Sequence, residues 1–238
     1  MKKMILFFIC VFIYIYSSFA QVSWSKGDGS QANPYQIESV AHLQYLAIQV
    51  NKGFSYENTF FVLTNDLNLS SVCGNNIGGL AKDWVAIGNS KGVKFRGSFD
   101  GNKKIISNLF FADSNNLNYK GLFGYVIGVN IKDVTLTNVN VNNCNYVGTV
   151  CGYADSNTTI SDCKAYGVMS AAGFGGGIVS VLENSTLSQC ENYINFQKSG
   201  YVGGLCWHVT TASVIESVNY GSFDSCWGAG GICSVIAY

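Results

Sequence analysis

The tripeptide Cys206-Trp207-His208 sets a thiol and an imidazole two residues apart. On a strand both would face one side, which is the pairing a nucleophile and its general base require. A third group to orient the imidazole is not evident, so the plainer reading is a core cysteine beside a surface histidine. Asp155, Asp162, Glu183, Glu191, Glu216 and Asp224 could supply the carboxylates of a polysaccharide-cleaving groove. They read as scattered, with no ladder at a fixed spacing. His42 and His208 are the two histidines, and neither CxxC nor HExxH occurs, so neither metal nor cofactor is expected. His42 reads as a solvent-facing residue on a helix.

A binding surface has firmer support. Tyr166, Tyr193 and Tyr220 recur every 27 residues, and Trp207 and Trp227 are candidate additions to the same strip. If the tyrosines point outward on successive strands, their rings align about 4.8 Å apart. Such a strip offers apolar faces with polar edges for sugar rings. The competing reading is that the rings stack on one another and shield the backbone.

These residues sit in a repeat. GLFGYV at Gly121 returns as GTVCGY at Gly148, GGIVSV at Gly176, GGLCWH at Gly203 and GGICSV at Gly230, in steps of 27, 28, 27 and 27. Ile160, Leu187 and Val214 keep the same period, as do Met169, Phe196 and Phe223. Helical 3.6-residue patterning is missing from these units; short β-rich pieces such as 135–141 and 158–163 alternate with Gly, Asn and Ser. The pattern predicts an all-β parallel β-helix, one coil per repeat of about 27 residues. Leu205 and Ile232 should point into its core, next to corner glycines that permit positive φ or close backbone approach.

The region 21–94 reads as an N-terminal cap and 95–238 as the repeats. Residues 24–35 form a loop. Apolar residues at 40, 43, 46, 47 and 50 predict an amphipathic helix over 38–50. Residues 60–69 read as one strand and 95–109 as a first coil, with the helix covering an edge otherwise open to pairing. Residues 1–20 have the form of a secretory signal peptide, with Lys2 and Lys3, an apolar run and cleavage after Ala20. Export to the cell surface or medium follows, with no membrane span in the mature chain. The sequence ends nine residues into a further repeat unit, and a continuation is expected.

Without residues 1–20 the chain carries 12 basic and 14 acidic residues, with no basic patch to engage nucleic acid. Eight cysteines remain, and an even number in an exported chain suggests disulfides. Cys163 with Cys190, and Cys206 with Cys233, fall at equivalent sites on adjacent coils. Both core thiols and bridges fit that geometry; the period favours thiols.

The segments WSKGDGSQANPYQIESVAHLQYLA (24–47), FFVLTNDLNL (60–69), WVAIG (84–88), FRGSFDGNKKIISNL (95–109) and GLFGYV (121–126) are followed by the GGI-type corners, ISDC and NYG. In this order they resemble the GLUG-motif proteins, bacterial secreted or surface repeat proteins. The resemblance implies a right-handed parallel β-helix with an N-terminal capping helix and motif residues that are structural. It implies an adhesin-type scaffold whose partner is a glycan or a host or microbial surface protein. A polysaccharide-active enzyme and a passive stalk are the alternatives. Metallopeptidases that cleave immunoglobulin A carry similar segments, but their metal-binding motif is absent here. Val179-Ser180 and Cys206-Trp207 replace the usual second-glycine corner, and Ile194 replaces a glycine.

Overall fold

The computed structural model describes residues 23–112, 119–170 and 172–237; the expected signal peptide lies outside them. The chain is a parallel β-solenoid of about seven coils with a single helix. Its first sheet has seven parallel strands: Tyr35–Ile37, Phe60–Leu63, Ser98–Asp100, Asn130–Lys132, Thr159–Ser161, Thr186–Ser188 and Ser213–Ile215. A second sheet carries Thr135–Asn142, Lys164–Ser170 and Glu191–Gln197. A third, short sheet runs through Val147–Gly148, Phe174–Gly176, Tyr201–Gly203 and Gly228–Gly230. The fourth follows with Phe123–Ile127, Cys151–Asp155, Val179–Glu183, Cys206–Thr210 and Cys233–Ala237.

Equivalent residues pair in register, so each apolar position becomes a column. Ile131, Ile160, Leu187 and Val214 form one; Val141, Met169, Phe196 and Phe223 form another. At the corners, the glycines serve close approach more than positive φ. A Cβ on Gly204 would lie 2.0 Å from the Gly231 carbonyl oxygen. Positive φ falls instead to Asp133, Asp162, Gln189 and Glu216, one residue per coil at the turn between the first two sheets.

The stack begins earlier than residue 95, because Tyr35–Ile37 pairs with Phe60–Leu63, which in turn pairs with Ser98–Asp100 in the first sheet. The segment 60–69 is two strands, Phe60–Leu63 and Leu67–Asn68, followed by a 3-10 turn at Leu69–Ser71. The chain must turn a solenoid corner at 64–66, so one continuous strand is geometrically excluded. Between the first two rungs the chain leaves to form helix α1, Val40–Asn51, which starts two residues and ends one residue later than the 38–50 expected because Ser39 caps it. Leu43, Leu46 and Val50 are fully buried in the same core as Ile37 and Phe61.

His42 does not simply face solvent. Its backbone N–H donates to the Ser39 hydroxyl at 3.3 Å, and its Nδ1 accepts from the Glu38 N–H at 3.2 Å. This reciprocal arrangement resembles a capping box with imidazole in place of carboxylate. At the other end of α1, the Asn51 carboxamide oxygen accepts from the N–H groups of Gly88 and Asn89. Its amide group donates to the Ala86 carbonyl, which locks the helix to the incoming edge of the fourth sheet.

Candidate functional site

Cys206 and His208 do not form a pair. Within Cys206–Thr210 the buried residues are Cys206 and Val209, while Trp207 and His208 are half-buried, so strict alternation fails here. Cys206 is sealed in the core opposite Cys233. Its thiol is held well above the ordinary range by hydrogen bonding to Cys233 and by burial. His208 lies against Trp207 and bonds the Thr210 hydroxyl at 3.3 Å. A protonated thiol in the core cannot act as a nucleophile toward solvent-borne substrate.

Cys151, Cys163, Cys190 and Cys206 are buried thiols, and they lie in columns. Cys151, Val179, Cys206 and Cys233 stack in the fourth sheet. Burial drives the Cys151 thiol far upward, and the Cys163 thiol is raised by burial and by Cys190. These thiols are core residues first.

The tyrosine column forms. Tyr166 and Tyr193 have ring centroids 4.4 Å apart at 8°, and Tyr193 and Tyr220 are 4.8 Å apart at 18°. Nearly parallel rings this close lie face to face, because rings lying side by side in one plane would be held farther apart by their edges. The column therefore shows phenol edges to solvent, and Tyr220 at its end is 59% exposed. The expected flat strip of ring faces is not built, since the faces are spent on one another. Each such contact contributes about 0.5–1.5 kcal/mol. Tyr193 donates to Glu191 at 2.8 Å, and Glu191 also accepts from Lys164 at 2.8 Å. The lysine bond, then the tyrosine bond, lowers the Glu191 carboxyl; the same carboxylate raises the Tyr193 phenol.

Trp207 and Trp227 do not extend this column. Trp207 packs against a second aromatic ladder, Tyr146, Phe174 and Tyr201, on the third sheet. In that ladder Tyr146 and Phe174 are 5.2 Å apart at 17°, and Phe174 and Tyr201 are 6.0 Å apart at 12°. Tyr119 joins it at Tyr146 and bridges to Tyr125 and Tyr153. Burial pushes the Tyr119 phenol up to about 12, and Tyr153 donates to Glu183. The indole N–H of Trp207 is buried without a partner. Trp227, 89% exposed, precedes Gly228, which pairs with Tyr201. The signal for this ladder was present in the sequence: each member stands two residues before a corner glycine, at 121, 148, 176 and 203.

The carboxylates are less scattered than their spacing suggested. Asp133, Asp162, Gln189 and Glu216 occupy one corner on successive coils, each of the first three donating its N–H to the coil that follows. With Glu191, Lys103 and Lys164 they line a polar groove of about 600 Å³ beside Tyr220. The glutamine and one 29-residue step hid the column from a search at 27 residues.

Fold and surface define a parallel β-solenoid that carries aromatic ladders on two faces. No family model matches the chain. It is 32% identical over 138 residues to a protein of Evansella cellulosilytica provisionally named a Gly-rich membrane protein, which aligns with 55% of this chain and over 15% of its own length. It is 31% identical over 160 residues to halomucin of Haloquadratum walsbyi, covering 66% of this chain and 2% of that protein. The chain thus spans a small part of each relative. Among solved structures it is similar to a Bacteroides ovatus protein provisionally named an immunoglobulin A1 protease. The TM-score is 0.59 at 16% identity, covering 89% of this chain and 80% of that one; the likeness is one of fold. Among the described residues no helix is long and apolar enough to cross a membrane.

Proposed function

We propose that the chain is a non-catalytic binding module of a secreted or cell-surface protein of the GLUG-motif type, and that it engages glycan or a surface protein through its aromatic faces. The observation that carries this reading is the ladder Tyr146–Phe174–Tyr201 with Trp207 laid against it and Tyr201 51% exposed. A large, half-exposed ring held in place by its neighbours is the kind of rigid anchor that interfaces use. The names of the relatives, a membrane protein and a halomucin, support a surface setting.

The carboxylate corner favours a second reading, a polysaccharide-active enzyme. Asp162 and Glu216 stand two coils apart, a separation of about 9.6 Å at the usual strand spacing, near the range used by inverting glycosidases. One experiment separates the two readings. The purified protein is incubated with host and microbial polysaccharides, and both retention and released oligosaccharide are measured. Retention without product, reduced by Tyr201→Ala, is expected. Product that disappears in Asp162→Asn would replace the binding reading with the enzymatic one.

A further inference from the structure

A second groove lies on the outer face of the first sheet, away from both aromatic ladders. It holds about 370 Å³ where residues Gln31 and Pro34 overhang four successive strands. Inward residues of those strands (Phe61, Phe99, Ile131, Ile160) fill the core, so the floor is made of the residues between them. Two parallel columns result. One reads Phe60, Ser98, Asn130, Thr159; the other reads Val62, Asp100, Lys132, Ser161.

The chemistry changes along the groove. Its first end is apolar, with Phe60 and Val62 half-buried under Pro34. Its far end is hydroxyl and carboxamide, repeated once per coil. The cation in the middle is already paired: the Lys132 ammonium sits between two carboxylates, 2.7 Å from Asp100 and 3.4 Å from Asp133. An anionic ligand would have to displace those carboxylates, and an isolated apolar ligand would strand the hydroxyls. The floor is a side-chain face whose backbone groups are already paired within the sheet, so an extended peptide cannot add to it as a strand.

We propose that this groove binds a neutral linear oligosaccharide lying along the solenoid axis. A pyranose C–H face rests on Phe60 and Val62, and successive hydroxyls are met by Ser98, Asn130, Thr159 and Ser161. Each side chain of this set both donates and accepts except Phe60 and Val62, as sugar hydroxyls require. Coil spacing of about 4.8 Å brings a new polar pair into reach for roughly each sugar unit. The volume falls within the range of small-ligand clefts, about 300–1,000 Å³.

The proposal extends the binding-module reading to a separate site. Its test is calorimetric titration of the purified protein with cellohexaose, laminarihexaose, mannohexaose and chitohexaose. One of these hexasaccharides binds, and Asn130→Ala weakens it about tenfold or more, one step of 1.4 kcal/mol. Asn130 is exposed, so this variant keeps its fold; Phe60→Ala should weaken binding further. Ile236→Ala, exposed on the last strand of the fourth sheet, leaves the hexasaccharide affinity unchanged. Failure of all four sugars to bind overturns the groove assignment, as does affinity that survives Asn130→Ala and Phe60→Ala. If instead Tyr201→Ala abolishes binding, the groove is wrong and the aromatic-face reading stands. Cleavage of a bound sugar defeats the module reading while leaving the groove in place.

Discussion

Leu205 and Ile232 occupy the same place in successive coils, yet Leu205 is wholly buried and Ile232 is 41% exposed. Phe196 is sealed and its partner Phe223 half-open; Val202 is sealed and its partner Ala229 exposed. The residue types are alike, so burial here is conferred by the neighbouring coil and not by the residue. The opposite end gives the contrast. There the first rung is covered by α1, and Ile37, Phe61 and Leu43 have almost no exposure. A solenoid therefore protects its core only where something is stacked on it, a helix at one end and coil upon coil thereafter.

The sharpest way to break this comparison is a glycine pair. A Cβ at Gly204 would sit 2.0 Å from the Gly231 carbonyl oxygen and 2.5 Å from the Asn219 side chain, whereas at Gly231 it meets nothing within 4 Å. Gly204→Ala should cost on the order of 4 kcal/mol or abolish folding. Gly231→Ala should change the urea midpoint hardly at all. Equal losses from both would show that these glycines are required for a backbone conformation and not for the approach of the next coil.

The next largest effect is packing. Leu205→Ala leaves a cavity in a closed core and should cost about 2–5 kcal/mol. Ile232→Ala removes atoms already facing water and should cost less than about 1 kcal/mol. Thermal unfolding of the two variants decides it. A large loss at Ile232 would mean that the last described coil is covered in solution.

Thiol ionisation extends the contrast to pH. Cys151 and Cys163 are fully buried, and burial raises both thiols above their ordinary value of 9.0. Between the unfolded and folded values the native state holds more protons, so unfolding becomes easier as pH rises. The stabilisation is complete below about pH 8.5 and falls above it by about 1.4 kcal/mol per pH unit for each thiol. Cys233, in the open coil, is lowered through its bond from Cys206, and its sign is opposite. Urea midpoints at pH 7 and pH 10 under reducing conditions should diverge, and Cys151→Ala should narrow the gap. Cys233→Ala should not. A pH-independent midpoint would mean these thiols ionise freely in the native state.

The same contrast explains which features are legible in the sequence. Period, strand type and α1 were legible because they depend on which residues must be buried, and burial imposes spacing. The tyrosine column was legible for the same reason, but its ring orientation was not: spacing gives the distance between Tyr166 and Tyr193, and packing decides whether faces or edges meet. Cys206 and His208 looked like one face because strands alternate, and the strand departs from alternation where Val209 turns inward. The corner acids escaped because a turn residue answers to backbone conformation, so Gln189 can replace a carboxylate there without disturbing the fold. The Tyr146 ladder was not legible as a ring stack because its members alternate between Tyr and Phe beside glycines whose spacing answers to backbone approach, which says nothing of ring contact.

The smallest expected effect sharpens the closed end. Ser39→Ala removes the hydroxyl that accepts the His42 N–H and should cost about 1 kcal/mol. That loss belongs to the helix terminus alone if α1 is held mainly by Leu43, Leu46 and Val50 in the core and by Asn51 against residues 86–89. Amide exchange should then quicken at His42 while remaining slow at Val50, with little change in the coils beyond. If exchange quickens along the whole helix and into Phe60–Leu63, the cap at Ser39 governs how firmly the lid sits. The closed end would then owe its protection to a single hydrogen-bonded turn, and the difference between the two ends would be one of degree.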